Sequence, residues 1–137
     1  MPTNITKICR ASTAEAKHRA IKDHRIKIGG FDGDTLLCPY CGNEYLHHSK
    51  ITAYDRSEDA TAVTVSEIER GVVTRTAVLS DAARNPSSRR DGIAIEFWCE
   101  NCHGRSELTI AQHKGCSLCD WRVAKEDNLP ANPFADF

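Results

Sequence analysis

The sequence predicts a mainly β domain, α+β in class, in which a small antiparallel sheet is closed by a cysteine-ligated metal and preceded by one short helix. Three observations carry this expectation. From Leu36 onward apolar residues recur with the period of two that a half-buried strand requires. Six of the seven cysteines fall into C-x-x-C pairs: Cys38/Cys41, Cys99/Cys102 and Cys116/Cys119. Between the N-terminal helix formers and the strand region lies "GGFDGD" at 29–34, which breaks any helix.

The elements follow in chain order. Ser12 and Glu15 have capping-box spacing, and good helix formers follow, with weak apolar spacing through Ala16, Ala20, Ile21 and His24. This predicts a short helix over 13–25. Strand formers return in "KITAY" at 50–54. Val63 and Val65 alternate with Thr64 and Ser66; "ERG" at 69–71 makes a turn, and Val73, Ala77 and Leu79 face one way on the return. Ile93, Ile95 and Phe97 alternate with Ala94, Glu96 and Trp98, and "ELTIA" at 107–111 turns at "HKG" into "CSLCDWRVA" at 116–124. Six or seven short antiparallel strands are expected. The polar stretch 80–92, with Pro86 and Gly92, reads as a loop carrying Arg84, Arg89 and Arg90.

The chain divides into a basic helix with its Gly-rich linker (1–34), a β domain with a long insertion at 42–98 (35–125), and an acidic Pro/Phe tail expected to be flexible (126–137). At 137 residues this is one domain's worth of chain. Such a domain buries roughly two thirds of the surface its unfolded chain exposes. The longest apolar runs, such as "AVL" at 77–79, are far too short to span a membrane. The N-terminus lacks the apolar core of a secretory signal, so a cytoplasmic location is expected. An odd cysteine count in a reducing compartment then favours metal thiolates over disulfides; Cys9 stands alone.

Two C-x-x-C turns, each ending a strand, can aim four thiolates at one ion. "CPYCG" fits that role: Pro39 stiffens the turn, and Gly42 tolerates the left-handed conformation in which it ends. "CENCHG" fits with its glycine one position late. This is a zinc-ribbon-type arrangement, with Zn²⁺ on Cys38, Cys41, Cys99 and Cys102. Its unusual feature is the 57 residues between Cys41 and Cys99, where ~15–20 are common. Long insertions cost little, because loop-closure entropy grows only logarithmically. The competing pairing of Cys99/Cys102 with Cys116/Cys119 has a shorter spacing but lacks turn chemistry, since "CSLCDW" reads as strand continuation with its cysteines pointing in similar directions. A second site from His103, His113, Cys116 and Cys119 is the other alternative; half-buried thiols are the plain one.

Catalytic readings have less to stand on. "LHH" at 46–48 and "CENCHGR" at 99–105 resemble parts of the HNH nucleases, which would make His47 or His48 a general base beside a divalent ion. Yet "HHSKI" lacks the usual continuation, and Asn85 lies in "RNPSS". The favoured reading of the pair is alternate in-and-out strand positions. Redox dithiols would need a thiolate opening a helix, and no pair does so. No phosphate loop, nucleophile elbow or calcium-loop spacing is present. No small-molecule substrate is evident.

The segments "CPYCGNEYLHH", "NPSSRRDGIAIEFWCENC" and "LTIAQHKG", in this order, resemble a family of small uncharacterised zinc-ribbon proteins of actinobacterial phages, prophages and their hosts, over about residues 36–122. The resemblance implies the fold and the metal and carries no activity; Cys116 and Cys119 depart from it. The expected function is a non-enzymatic module binding a host macromolecule. Residues 1–28 hold seven Lys/Arg against two acids, a net of +5, leaving −6 on the rest of a chain whose total is −1. Nucleic acid would be met through Lys17, Arg19, Lys22, Arg25, Arg89 and Arg90. A host protein would be met through Trp98, Trp121 or the Phe134/Phe137 tail.

Overall fold

The computed structural model describes residues 20, 21 and 23–125. Six long strands form one antiparallel sheet: β3 (Leu46–Asp55), β4 (Ala62–Glu69), β5 (Val72–Leu79), β6 (Gly92–Cys99), β7 (Arg105–His113) and β8 (Cys116–Val123). Their order is β5-β4-β3-β6-β7-β8. Two two-residue strands, β1 (Ile28–Gly29) and β2 (Thr35–Leu36), make a separate ribbon leading into the first cysteine pair. The mainly antiparallel β architecture is therefore as the period-two pattern requires. No helix among the described residues is long and apolar enough to cross a membrane.

Two hairpins share one device. Arg70–Gly71 joins β4 to β5 and Lys114–Gly115 joins β7 to β8, with all four residues at positive φ (52°, 78°, 50° and 83°). Such a two-residue turn matches the right-handed twist of the flanking strands, and glycine takes its second left-handed position without steric cost.

No helix forms in the described part of 13–25. Residues 13–19 and 22 lie outside the described set, while 20, 21 and 23–25 are irregular. The reason is tertiary. The Trp121 N–H donates to the His24 carbonyl (3.2 Å), and His24 Nδ1 donates to the Trp121 carbonyl (2.7 Å), which holds this segment against the outer edge of β8. Ile21 is buried, and Asp23 turns back on Arg25 and Lys27 at 3.1 Å each. Cys9 and the tail with Phe134 and Phe137 also lie outside the described residues.

Strand register decides which side chains share a face. On one face, called inner here, lie Thr52 and Tyr54 of β3, Val63 and Val65 of β4, Ala94, Glu96 and Trp98 of β6, and Arg105, Glu107 and Thr109 of β7. The 80–91 loop folds over this face: Ala83 packs on the buried cluster of Tyr54, Val63 and Ala94, and the buried Ser87 hydroxyl donates to the Gln112 carbonyl (2.8 Å). Gly92 is required beneath the loop, since a Cβ there would collide with Asn85 and Pro86. The opposite, outer face carries Ile51, Ile93, Ile95, Phe97, Leu108 and Ile110. The segment around Ile21 and His24 meets this face at Trp121, which is 1% exposed and edge-on to Phe97 at 5.8 Å.

Candidate metal centre

Each cysteine pair sits on a tight knuckle after a strand. In the first, the Gly42 N–H donates to the Cys38 carbonyl (2.9 Å), the Cys38 N–H to the Asn43 carbonyl (2.8 Å), and the Tyr40 N–H to Cys38 Sγ (3.4 Å). Gly42 takes φ +79°, the conformation anticipated for it. The second knuckle repeats the pattern. The His103 N–H donates to the Cys99 carbonyl (2.9 Å), the Cys99 N–H to the Gly104 carbonyl (3.1 Å), and the Gly104 N–H to Cys102 Sγ (3.4 Å).

The displaced glycine has a packing explanation. His103 occupies the left-handed position that Gly42 fills in the first knuckle, at φ 58°. Gly104 is needed for a different reason: a Cβ there would lie 2.5 Å from the Tyr40 ring and 3.2 Å from Cys102 Sγ. The two knuckles thus close on each other through the Tyr40 side chain. Its hydroxyl donates to the Arg105 carbonyl (2.7 Å), and the Glu100 N–H donates to the Tyr45 carbonyl (3.0 Å).

The result is a convergent set of sulfurs. Cys38 Sγ lies 3.8 Å from Cys102 Sγ, Cys41 Sγ lies 3.6 Å from Cys99 Sγ, and all four are within 4.8 Å of one another. Cys38, Cys99 and Cys102 are buried and Cys41 is exposed, with the Asn101 amide donating to its sulfur (3.4 Å). Hydrogen bonds from Cys38 and Cys99 hold the Cys102 thiol well below its usual range, while the same contacts with Cys102 push Cys38 and Cys99 up. An ion entering the cluster displaces the remaining protons, so acidification releases it. Among the described residues this is the one group of His, Cys, Asp or Glu side chains whose ligand atoms converge.

The alternative ligand set does not assemble. Cys116 stands opposite His113 at the start of β8, and Cys119 stands opposite Ile110. Three residues apart on a regular strand, the two thiols point to opposite faces, not in similar directions. His103 sits on its knuckle, and His103, His113, Cys116 and Cys119 form no convergent group. Replacing both Cys116 and Cys119 with serine is expected to leave the metal content of the purified protein unchanged, as read by elemental analysis.

His47 and His48 also point to opposite faces. His47 stacks on Trp98 (4.3 Å) with Nε2 at 2.5 Å from Glu100 Oε2, and His48 meets the edge of Phe97 (6.4 Å). They cannot converge on one ion. The basic residues expected to meet phosphate are divided. Lys17, Arg19 and Lys22 lie outside the described residues; Arg25 pairs with Asp23, and Arg89 and Arg90 pair with Glu58 and Asp59.

Sequence reasoning missed three features. Tyr40 and Asn101 support the cluster, and both lie between the cysteines of a pair, where a side chain able to reach the opposite knuckle could have been sought. Glu96 and Arg105 form a buried pair at 3.0 Å. A groove of about 230 Å³ on the inner face is lined by Lys50, Tyr54, Glu67, Arg84, Glu107 and Lys125. Glu107 in its floor is already held by Arg122 (2.6 Å) and Arg84 (3.4 Å). Comparisons with protein-family models, curated proteins and solved structures find no match to this chain.

Proposed function

We propose that this chain is a non-enzymatic binding module whose sheet is clipped by one structural Zn²⁺ on Cys38, Cys41, Cys99 and Cys102, and that its partner is a protein. The observation that carries the reading is the closed four-thiol cluster. Tetrahedral zinc with Zn–S bonds of about 2.3 Å needs sulfurs roughly 3.8 Å apart, and the two closest pairs stand at 3.6 and 3.8 Å. Four protein ligands leave no position for water or substrate, which is the arrangement of a structural rather than a catalytic zinc. Hydrogen bonds to three of the four sulfurs from Tyr40, Gly104 and Asn101 supply the outer shell such a site needs.

A protein is favoured over nucleic acid by charge. A phosphate-binding surface presents unneutralised Lys and Arg side chains. Here Arg25, Arg89 and Arg90 each face a carboxylate, and the outer sheet face offers isoleucines instead. Capture of partners from cell lysate by the full chain tests this. Retention that survives nuclease treatment and changes little between low and high salt supports a protein partner, and loss on nuclease treatment makes the chain a nucleic-acid binder. Plasmid cleavage with Mg²⁺ or Mn²⁺ that disappears in a His47→Ala/His48→Ala variant would overturn the non-enzymatic reading.

A further inference from the structure

The two edges of the six-stranded sheet are treated differently. At β8 the Trp121 main chain is engaged by His24 on both its N–H and its carbonyl. Among the described residues β5 is bonded only to β4, over eight residues in unbroken register. Natural sheets blunt such an edge with Pro, several charges, a bulge or a covering segment. "VVTRTAVL" has no Pro, no Gly, no bulge and a single charge, Arg75. Val72, Val73 and Leu79 are 61%, 66% and 68% exposed.

The hairpin fixes which groups are free to pair. A two-residue turn at Arg70–Gly71 makes Glu69 and Val72 a hydrogen-bonded pair, and such pairs alternate along the ladder. Thr74, Thr76 and Val78 therefore bond to β4, and Val73, Arg75, Ala77 and Leu79 turn their N–H and C=O groups outward. The Leu79 carbonyl accepts from Ala82 and Ala83 N–H (3.0 and 3.1 Å); the outward groups of Val73, Arg75 and Ala77 meet no partner among the described residues.

We propose that β5 is a self-complementary edge through which two copies of this chain pair antiparallel about a two-fold axis. The partner is a second copy, distinct from the binding partner above, because one symmetric register satisfies the strand. With Thr76 on the axis, Arg75 stands opposite Ala77, Val73 opposite Leu79, and Thr74 opposite Val78. Shifted by one residue along each strand, the symmetric pairing would either set Arg75 against Arg75, which like charge disfavours, or put Ala77 on the axis. The latter leaves Val73 beyond the end of the other strand and makes only about four bonds. In the chosen register Arg75 and Ala77 exchange main-chain bonds on both sides of the axis, and Leu79 N–H reaches the Val73 carbonyl. This makes about six bonds between the copies. Thr76 meets Thr76 as a β-branched cross-strand pair, and Val73 meets Leu79 on the outer face, extending the apolar surface of Ile51 and Ile93 across both copies.

Sedimentation of the full zinc-loaded chain is expected to give twice the 15.2 kDa chain mass, falling to one chain mass on dilution. Ala77→Pro removes an outward N–H and leaves the β4 ladder intact, so it weakens self-association about tenfold or more while zinc content is kept. If that variant misfolds, cross-linking decides. In a Cys9→Ser/Cys116→Ser/Cys119→Ser background, Thr76→Cys places two cysteines opposite each other at a Cα separation of about 4.5 Å, within disulfide reach. Thr74→Cys places them about 13 Å apart, beyond it. A disulfide-linked dimer from Thr76→Cys and none from Thr74→Cys is the expected result. A monomer at every concentration, or a dimer that Thr76→Cys fails to cross-link, overturns the proposal.

Discussion

Cys99→Ser is expected to take the metal content of the purified chain from one ion to none and to lower its thermal unfolding temperature by tens of degrees. The effect is large because of where Cys99 stands. It is wholly buried, it ends β6, it pairs with Leu46 of β3, and its own N–H and carbonyl form the second knuckle. Structural zinc supplies about 10–16 kcal/mol to zinc-finger peptides, where binding and folding are one event. A six-stranded sheet has other support, so only part of that scale falls on its stability. The part nearest the four sulfurs, from Cys38 to Leu46 and from Cys99 to Arg105, is built round those cysteines, with Tyr40 and Leu46 packed against them. Loss of amide protection in these two segments before the rest, measured by hydrogen exchange, is the local signature expected of the variant.

Arg105→Leu is expected to cost about 3–5 kcal/mol, because it strands the Glu96 carboxylate in the interior. The two side chains are 7% and 5% exposed and lie 3.0 Å apart, with the Ser49 hydroxyl donating to the same carboxyl group at 3.3 Å. The pair is not fully satisfied, as Arg105 Nη1 is buried without a hydrogen-bond partner. Replacing both residues with leucine should therefore recover most of the loss, since an apolar pair of similar volume is often neutral or better. Denaturant unfolding of the two single variants and the double variant checks this. A double variant as unstable as Arg105→Leu alone would mean that the pair does not act as a unit. The Tyr40 contact is made to the Arg105 carbonyl, so the substitution leaves that link to the knuckle in place.

The cysteine geometry was legible because it is local: a C-x-x-C turn, its closing glycine and the strand before it are all contiguous in sequence. The strands were legible for the same reason. Which face would be covered was not, because "GIAIEFWC" carries large apolar residues on both sides, and the face that holds the one charge, Glu96, is the covered one. Tertiary contacts settle it: Ala83 of the 80–91 loop packs on the cluster that holds Ala94, Glu96 pairs with Arg105 and Trp98 stacks on His47, leaving Ile93 on the other face 38% exposed. Local rules also failed at residues 20, 21 and 23–25, which form no helix and where His24 is held instead against β8 by the Trp121 main chain. Arg89 and Arg90 looked like solvated charges in a polar loop. Their partners, Glu58 and Asp59, lie about thirty residues earlier in the chain and come near only when β3 and β6 pair. Cys116 and Cys119 show the opposite case. An odd separation along a regular strand is enough to send the two thiols to opposite faces, with no help from packing.

The most direct measurement is native mass spectrometry of the full chain as purified, followed by the same measurement and a circular dichroism melt after treatment with a strong zinc chelator. One zinc per chain, whose removal lowers the melting temperature by tens of degrees, is the result the four-thiol clip requires. A chain that carries no metal and melts cooperatively at the same temperature before and after chelation would contradict it.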